Sequence, residues 1–204
     1  MPPNRSDALA LVRENVTNEG LRRHMLAVEA AVRAYARRYG ENEELWGLAG
    51  LLHDFDYERW PSPSDHPLRG SEILRERGYP EEVIYAILSH ADYLADRYPR
   101  IHLLDKVLYA CDELCGFITA VSLLRPERLT GLKASSVRKK LKTKGFAASV
   151  SREDIDRGAA ELGVPLDEHI DFIVEAMAGV AEALGLQPQA TARWQAPPEA
   201  NKTP

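Results

Sequence analysis

The sequence predicts an all-α bundle of about eight or nine helices, on three observations. Apolar residues recur at helical spacing along most of the chain. Capping residues precede these periodic segments, and glycine or proline follows them. No segment reads as a convincing run of alternating apolar and polar residues, and there is no internal repeat.

Each element has its own signal. Ser6 is the expected N-cap of a first helix over residues 6–15. Asn18 caps a longer helix that runs to Tyr39 and stops at Gly40. Asn42 caps the third, with Glu43 and Glu44 suited to its first turn; the apolar run over residues 45–52 carries it into His53-Asp54. Residues 60–65, Trp-Pro-Ser-Pro-Ser-Asp, read as a loop. Helices follow over residues 67–77, closed by Gly78, and over residues 80–91, with Pro80 near the first position. A long apolar helix covers residues 102–124 and is ended by Pro126. Residues 130–145 are strongly basic and read as a loop followed by a short helix. Ser151-Arg152-Glu153-Asp154 resembles a capping box with Asp in the Glu slot, and Gly163 ends that helix. A last helix is expected over residues 167–184, before Gly185. Residues 1–185 are expected to form one domain, and residues 186–204, which contain four prolines, a disordered tail.

Composition narrows the function classes. The chain has 204 residues, 45% hydrophobic and 28% charged, as in an ordinary globular protein. Its net charge of −5 argues against nonspecific nucleic-acid binding. No apolar run reaches the roughly 18–20 residues that span a bilayer. The N-terminus lacks a basic-then-apolar signal pattern, so a cytoplasmic location is expected. The two cysteines, Cys111 and Cys115, lie one helical turn apart in an apolar stretch and read as reduced core thiols.

Six residues carry candidate chemistry. His24 shares a helix face with Leu21, Val28 and Ala31, and taken alone reads as a core histidine. Asp112 sits in the most apolar helix, where a lone carboxylate costs several kcal/mol unless paired, whether with an arginine, a helix end or a metal. His53 and Asp54 are adjacent; mid-helix they point about 100° apart, but at a helix end the chain can turn and let both reach one ion. His66 opens one expected helix and His90 closes another, and each alone is an ordinary terminal histidine. Together, these four histidines and two aspartates form a nitrogen and oxygen donor set. Such a set suits a divalent ion such as Mn, Fe, Ni or Zn, with Mg also compatible.

The order and local context of these residues resemble the HD-domain superfamily of metal-dependent phosphohydrolases, near its HDIG branch. The resemblance rests on Arg23-His24-Met25, Leu52-His53-Asp54, His66-Pro67-x-x-Gly70-x-x-Ile73-Leu74, Ser89-His90 and Cys111-Asp112-Glu113, and covers about half the chain, residues 20–120. It implies that His24, His53, Asp54 and Asp112 hold one metal, and that His66, His90 and the bridging Asp54 hold a second where two are bound. The chain departs from the branch at Phe55-Asp56-Tyr57, where many members carry Ile-Gly and some a lysine; Arg59 is the nearest basic residue. Gly78-Tyr79-Pro80 lies away from the position of the similar motif in cyclic-dinucleotide phosphodiesterases, and reads as a helix stop and start.

The expected reaction is hydrolysis of a phosphate ester, of a nucleotide or another small phosphorylated metabolite, by a metal-activated hydroxide. Asp56, Arg69 and Asp92 are the sequence candidates, beside Asp54, for fixing the ester and protonating its leaving group. Lys133, Arg138, Lys139, Lys140, Lys142 and Lys144 read either as a phosphate-holding arm over the metal cleft or as a solvated helix face. Two rival readings remain: a di-iron oxygenase on the same fold, and a non-catalytic binding module. The expected partner is a small molecule; the sequence shows no oligomeric state.

Overall fold

The computed structural model describes residues 3–189, which form ten α-helices, one short 3-10 turn and no strand. The helices are α1 (Arg5–Asn15), α2 (Glu19–Tyr39), α3 (Glu43–Leu52), α4 (Leu68–Glu76), α5 (Glu81–His90), α6 (Leu103–Leu123), α7 (Ala134–Leu141), α8 (Arg152–Leu162), α9 (Leu166–Ala178) and α10 (Ala181–Leu184). The 3-10 turn, Asp92–Leu94, follows α5. The fold is all-α, and none of the described helices is long and apolar enough to cross a membrane.

The caps explain most of the boundaries. Asn18 accepts from the amides of Gly20 and Leu21, Asn42 from Leu45, and Ser151 from Asp154. Gly40, Gly163 and Gly185 close their helices in the left-handed conformation. Three boundaries differ from the sequence expectation. The cap of α1 is Asn4, not Ser6: Asn4 Oδ1 accepts from the Ser6 amide at 2.7 Å, and Asp7 returns a carboxylate to the Asn4 amide at 2.8 Å. The expected last helix is two, because the chain leaves helical geometry at Gly179-Val180, a poor helix former followed by a β-branched residue. Residues 186–189 depart from the disordered tail expected from residue 186, since Leu186 is buried and the Gln189 amide donates to Pro126 O at 2.9 Å. Residues 190–204, with Trp194, lie outside the described residues.

The two longest helices, α2 and α6, form the centre. α3 and α9 pack on α2, and α5 and α8 on α6. One apolar core runs from Ala8 in α1 to Leu186 after α10, so the C-terminal helices share it with the rest. Cys111 and Cys115 are buried free thiols, and burial pushes both well above the usual thiol range.

The crossing of α3 over α2 is unusually close. A Cβ on Gly50 would lie 2.8 Å from Glu29 Cα and 3.0 Å from Val28 O, so only glycine fits there. Glu29 is 3% exposed, and a buried carboxylate requires counter-charge. Arg5 supplies it with two bonds at 2.6 and 2.9 Å, and Arg33 with a third at 2.9 Å. Arg33 also reaches Glu44 through two bonds, which ties α1, α2 and α3 together.

A second buried polar link joins α2, α9 and α6. The Tyr35 hydroxyl donates to His169 Nδ1 at 2.6 Å, and His169 Nε2–H donates to Ala110 O at 2.9 Å. Burial lowers the His169 pKa to about 4. The unfolded chain therefore takes up this proton near pH 6.5, before the folded one does, so stability is lost as pH falls from about 6.5 to 4. The expected contribution is about 2–3 kcal/mol. Equilibrium denaturation of the wild type and His169→Gln checks it: the gap between them should narrow by that amount between pH 7 and pH 4.

Candidate metal centre

The donor residues arrive from five places in the bundle. His24 projects from the second turn of α2 and Asp112 from the middle of α6. His53 is the C-cap of α3, and Asp54 lies in the turn beyond it. His66 stands just before α4, and His90 is the last residue of α5. The end of α3 solves the problem of the adjacent pair, because the turn brings Asp54 Oδ2 to 3.5 Å from His53 Nε2.

Two donor groups meet at Asp54. In the first, His24 Nε2 lies 3.2 Å from His53 Nε2 and 2.9 Å from Asp112 Oδ1, and His53 Nε2 lies 3.4 Å from Asp112 Oδ1. Asp54 Oδ2 completes it, 4.0 Å from His24 Nε2. In the second, Asp54 Oδ1 lies 3.4 Å from His66 Nε2 and 3.6 Å from His90 Nε2. Donors held about 2.1 Å from a common cation sit roughly 3.0–3.4 Å apart in octahedral or tetrahedral arrangements. The observed spacings run from 2.9 to 4.0 Å, so most match this range and the Asp54 to His24 and His90 spacings are slightly wider.

The hydrogen bonds behind the rings matter as much. His53 Nδ1–H donates to Gly50 O at 2.9 Å, His90 Nδ1–H to Ile87 O, and His66 Nδ1–H to Asp56 Oδ1 at 2.7 Å. Each ring is thereby set with its proton pointing away and its Nε2 lone pair toward the shared space. Three imidazoles with lone pairs turned inward, beside two carboxylates, fit a divalent cation. Burial lowers the His53 pKa, but the Asp54 and Asp112 carboxylates outweigh burial and hold it well above the usual range. Asp54 and Asp112 lie well below theirs: burial opposes ionisation, and the histidines overcome it.

Asp56 stands behind His66 rather than in the cleft. It is fully buried, with Oδ1 on His66 and Oδ2 accepting from the Gly70 amide at 2.8 Å. A Cβ on Gly70 would meet Asp56 Cγ at 2.7 Å, so the amide comes this close only because residue 70 is glycine. This geometry replaces the sequence reading of Asp56 as a group acting on the ester: both of its oxygens are already occupied. Asp56→Asn offers one acceptor to two donors. Metal affinity should fall about 10–100-fold, measured by calorimetric titration.

The donors open into a cleft of about 480 Å³, lined also by Tyr57, Asp92, Tyr93, Tyr109, Glu113 and Asp154. Asp92 is held by Arg100 at 3.2 Å and Arg157 at 3.1 Å, so it is an ion-paired acceptor and not the proton donor that the sequence suggested. Arg69 does not line the cleft. It pairs with Asp65 on the solvent side of α4, whose inner face is Gly70, Ser71 and Leu74. Arg59 donates to Glu14 O and is likewise directed elsewhere.

None of Lys133, Arg138, Lys139, Lys140, Lys142 and Lys144 lines the cleft. Helix α7 packs its Ala134 and Val137 face toward α9, and Arg138 reaches toward Asp167 of α9 at 3.5 Å. The run therefore follows the solvated-face alternative and not the arm over the metals.

Sequence reasoning missed the cleft wall. Its signal was present in α6, where Tyr109, Asp112, Glu113 and Gly116 form a polar and small stripe on an otherwise apolar helix. Burial, with Asp112 adding to it, pushes the Glu113 carboxyl up to about 7.

No curated protein and no solved structure matches the chain significantly. A family model does: residues 21–116 match the HD domain, from the helix that carries His24 to just beyond Asp112. All six donors lie inside the matched segment. Residues 21–116 are thus an HD domain, of a superfamily that consists largely of metal-dependent hydrolases.

Proposed function

We propose that the protein is a metal-dependent phosphohydrolase that cleaves a phosphate ester of a small molecule. The observation that carries this reading is the pair of donor groups joined through the two oxygens of Asp54. His24, His53, Asp112 and Asp54 would hold one divalent ion, and Asp54, His66 and His90 a second. Such ions acidify a bound water and neutralise charge on phosphate oxygens.

The protein's own residues hold this centre in shape. Gly50 O, Ile87 O and Asp56 fix three of the rings, and the turn after α3 sets Asp54 between the two groups. The Tyr93 hydroxyl donates to His66 O at 2.6 Å and so anchors one side of the cleft to the start of α4. An ester with its phosphorus beside the donors would have the remainder of the substrate against the wall of tyrosines and carboxylates.

Elemental analysis of the purified protein, followed by phosphate release from a panel of phosphate monoesters, tests the proposal. One to two divalent ions per chain and metal-dependent release are expected. Oxygen uptake without phosphate release, or a stable protein with no affinity for divalent ions, would overturn it.

A further inference from the structure

The charges on the cleft wall are unbalanced in one place. Five carboxylates line the cleft: Asp54, Asp92, Asp112, Glu113 and Asp154. No lysine or arginine side chain lines it. Asp54 and Asp112 belong to the donor groups. Asp92 is backed by Arg100 and Arg157, and Asp154 by Arg157. Glu113 makes no ion pair with a lysine, arginine or histidine among the described residues; its one hydrogen bond comes from the Ser151 amide at 3.2 Å. A partly buried carboxylate left this way is costly unless something entering the cleft supplies the charge.

Two further features of the wall favour a cation. Tyr57 and Tyr93 are 45% and 52% exposed and border the same cleft, so aromatic surface is open to the entering molecule. Aromatic faces attract ammonium groups. Conversely, an ester with additional phosphates or carboxylates would set them against Glu113 with no basic side chain to receive them. Nucleoside di- and triphosphates are therefore poor fits.

Resting on the hydrolase reading above, we propose that the substrate is the phosphate monoester of a small amino alcohol, its ammonium group received by Glu113 and the tyrosine faces. Water adds to phosphorus, the phosphorus–oxygen bond to the alcohol breaks, and the leaving oxygen takes a proton. The products are the free amino alcohol and inorganic phosphate. Glu113 is the specificity-determining residue in this scheme.

The metal-loaded full chain tests this with four probes: phosphoethanolamine, phosphocholine, propyl phosphate and 3-phosphoglycerate. The expected kcat/KM is at least about tenfold higher for the two cationic esters than for propyl phosphate, and lowest for 3-phosphoglycerate. Glu113→Gln should collapse this discrimination toward unity. Calorimetric binding of ethanolamine and choline, at least about tenfold weaker in Glu113→Gln, gives a readout that does not depend on turnover. Hydrolysis of propyl phosphate or 3-phosphoglycerate as fast as the cationic esters overturns the inference and leaves the hydrolase reading standing. Glu113-dependent amine binding without hydrolysis of any ester supports the ammonium site and overturns the hydrolase reading instead.

Discussion

Asp54→Ala is expected to empty both donor groups at once. Its two oxygens face different histidine sets, Oδ2 toward His53 and His24, Oδ1 toward His66 and His90. Removing the side chain takes one donor from each group and the carboxylate they share. Metal content should fall from one or two ions per chain to well below one. Phosphate release should drop by at least about a thousandfold, since acidifying a water and neutralising phosphate charge each supply several kcal/mol. His24→Ala makes the contrast: it removes a donor from the first group only, so one ion should be retained at the His66 and His90 side. Elemental analysis of the two variants, side by side, reads this difference directly. Equal metal loss in both would show that the two groups do not act through a shared carboxylate.

The sequence disclosed the fold where local signals agreed. Asn18, Asn42 and Ser151 cap where expected because each precedes a periodic apolar segment, and the closing glycines take the left-handed conformation that only they adopt freely. It erred where two local signals competed: Asn4 and Ser6 are both good caps, and the reciprocal bond from Asp7 decides for Asn4. The convergence of the six candidate donors was legible for another reason. Ionisable residues at helix ends and on apolar faces are out of place unless something joins them, and the six named residues do converge. The roles of Asp56, Arg69, Asp92 and the basic run were not legible, because each depends on how a helix is rotated against its neighbours. Arg69 and Gly70 are adjacent, yet one faces solvent and the other touches a buried carboxylate. A charge count along the chain cannot tell that the wall of the cleft is acidic while the lysines of the basic run lie on and beside α7.

The stability of the bundle and the geometry of the centre meet at Gly50, and Gly50→Ala should damage both. The added methyl group would sit 2.8 Å from Glu29 Cα, 3.0 Å from Glu29 N and 3.0 Å from Val28 O, all backbone atoms that no rotamer change can move. Relief requires α3 to shift away from α2. Overpacking of this kind costs about 1–3 kcal/mol, which for a chain of this size lowers Tm by roughly 3–10 °C. The same shift carries away Gly50 O, which accepts the His53 Nδ1–H bond, and with it the ring whose Nε2 stands 3.2 Å from that of His24. Affinity should therefore fall in the His24, His53 and Asp112 group by more than in the Asp54, His66 and His90 group. Thermal denaturation with and without added metal separates the two effects. In the wild type, saturating metal should raise Tm, because it binds only the assembled centre. In Gly50→Ala the metal-induced rise should be smaller as well as the starting Tm lower. A variant with lowered Tm but an undiminished metal response would mean that the α2–α3 approach supports the fold without setting the donors.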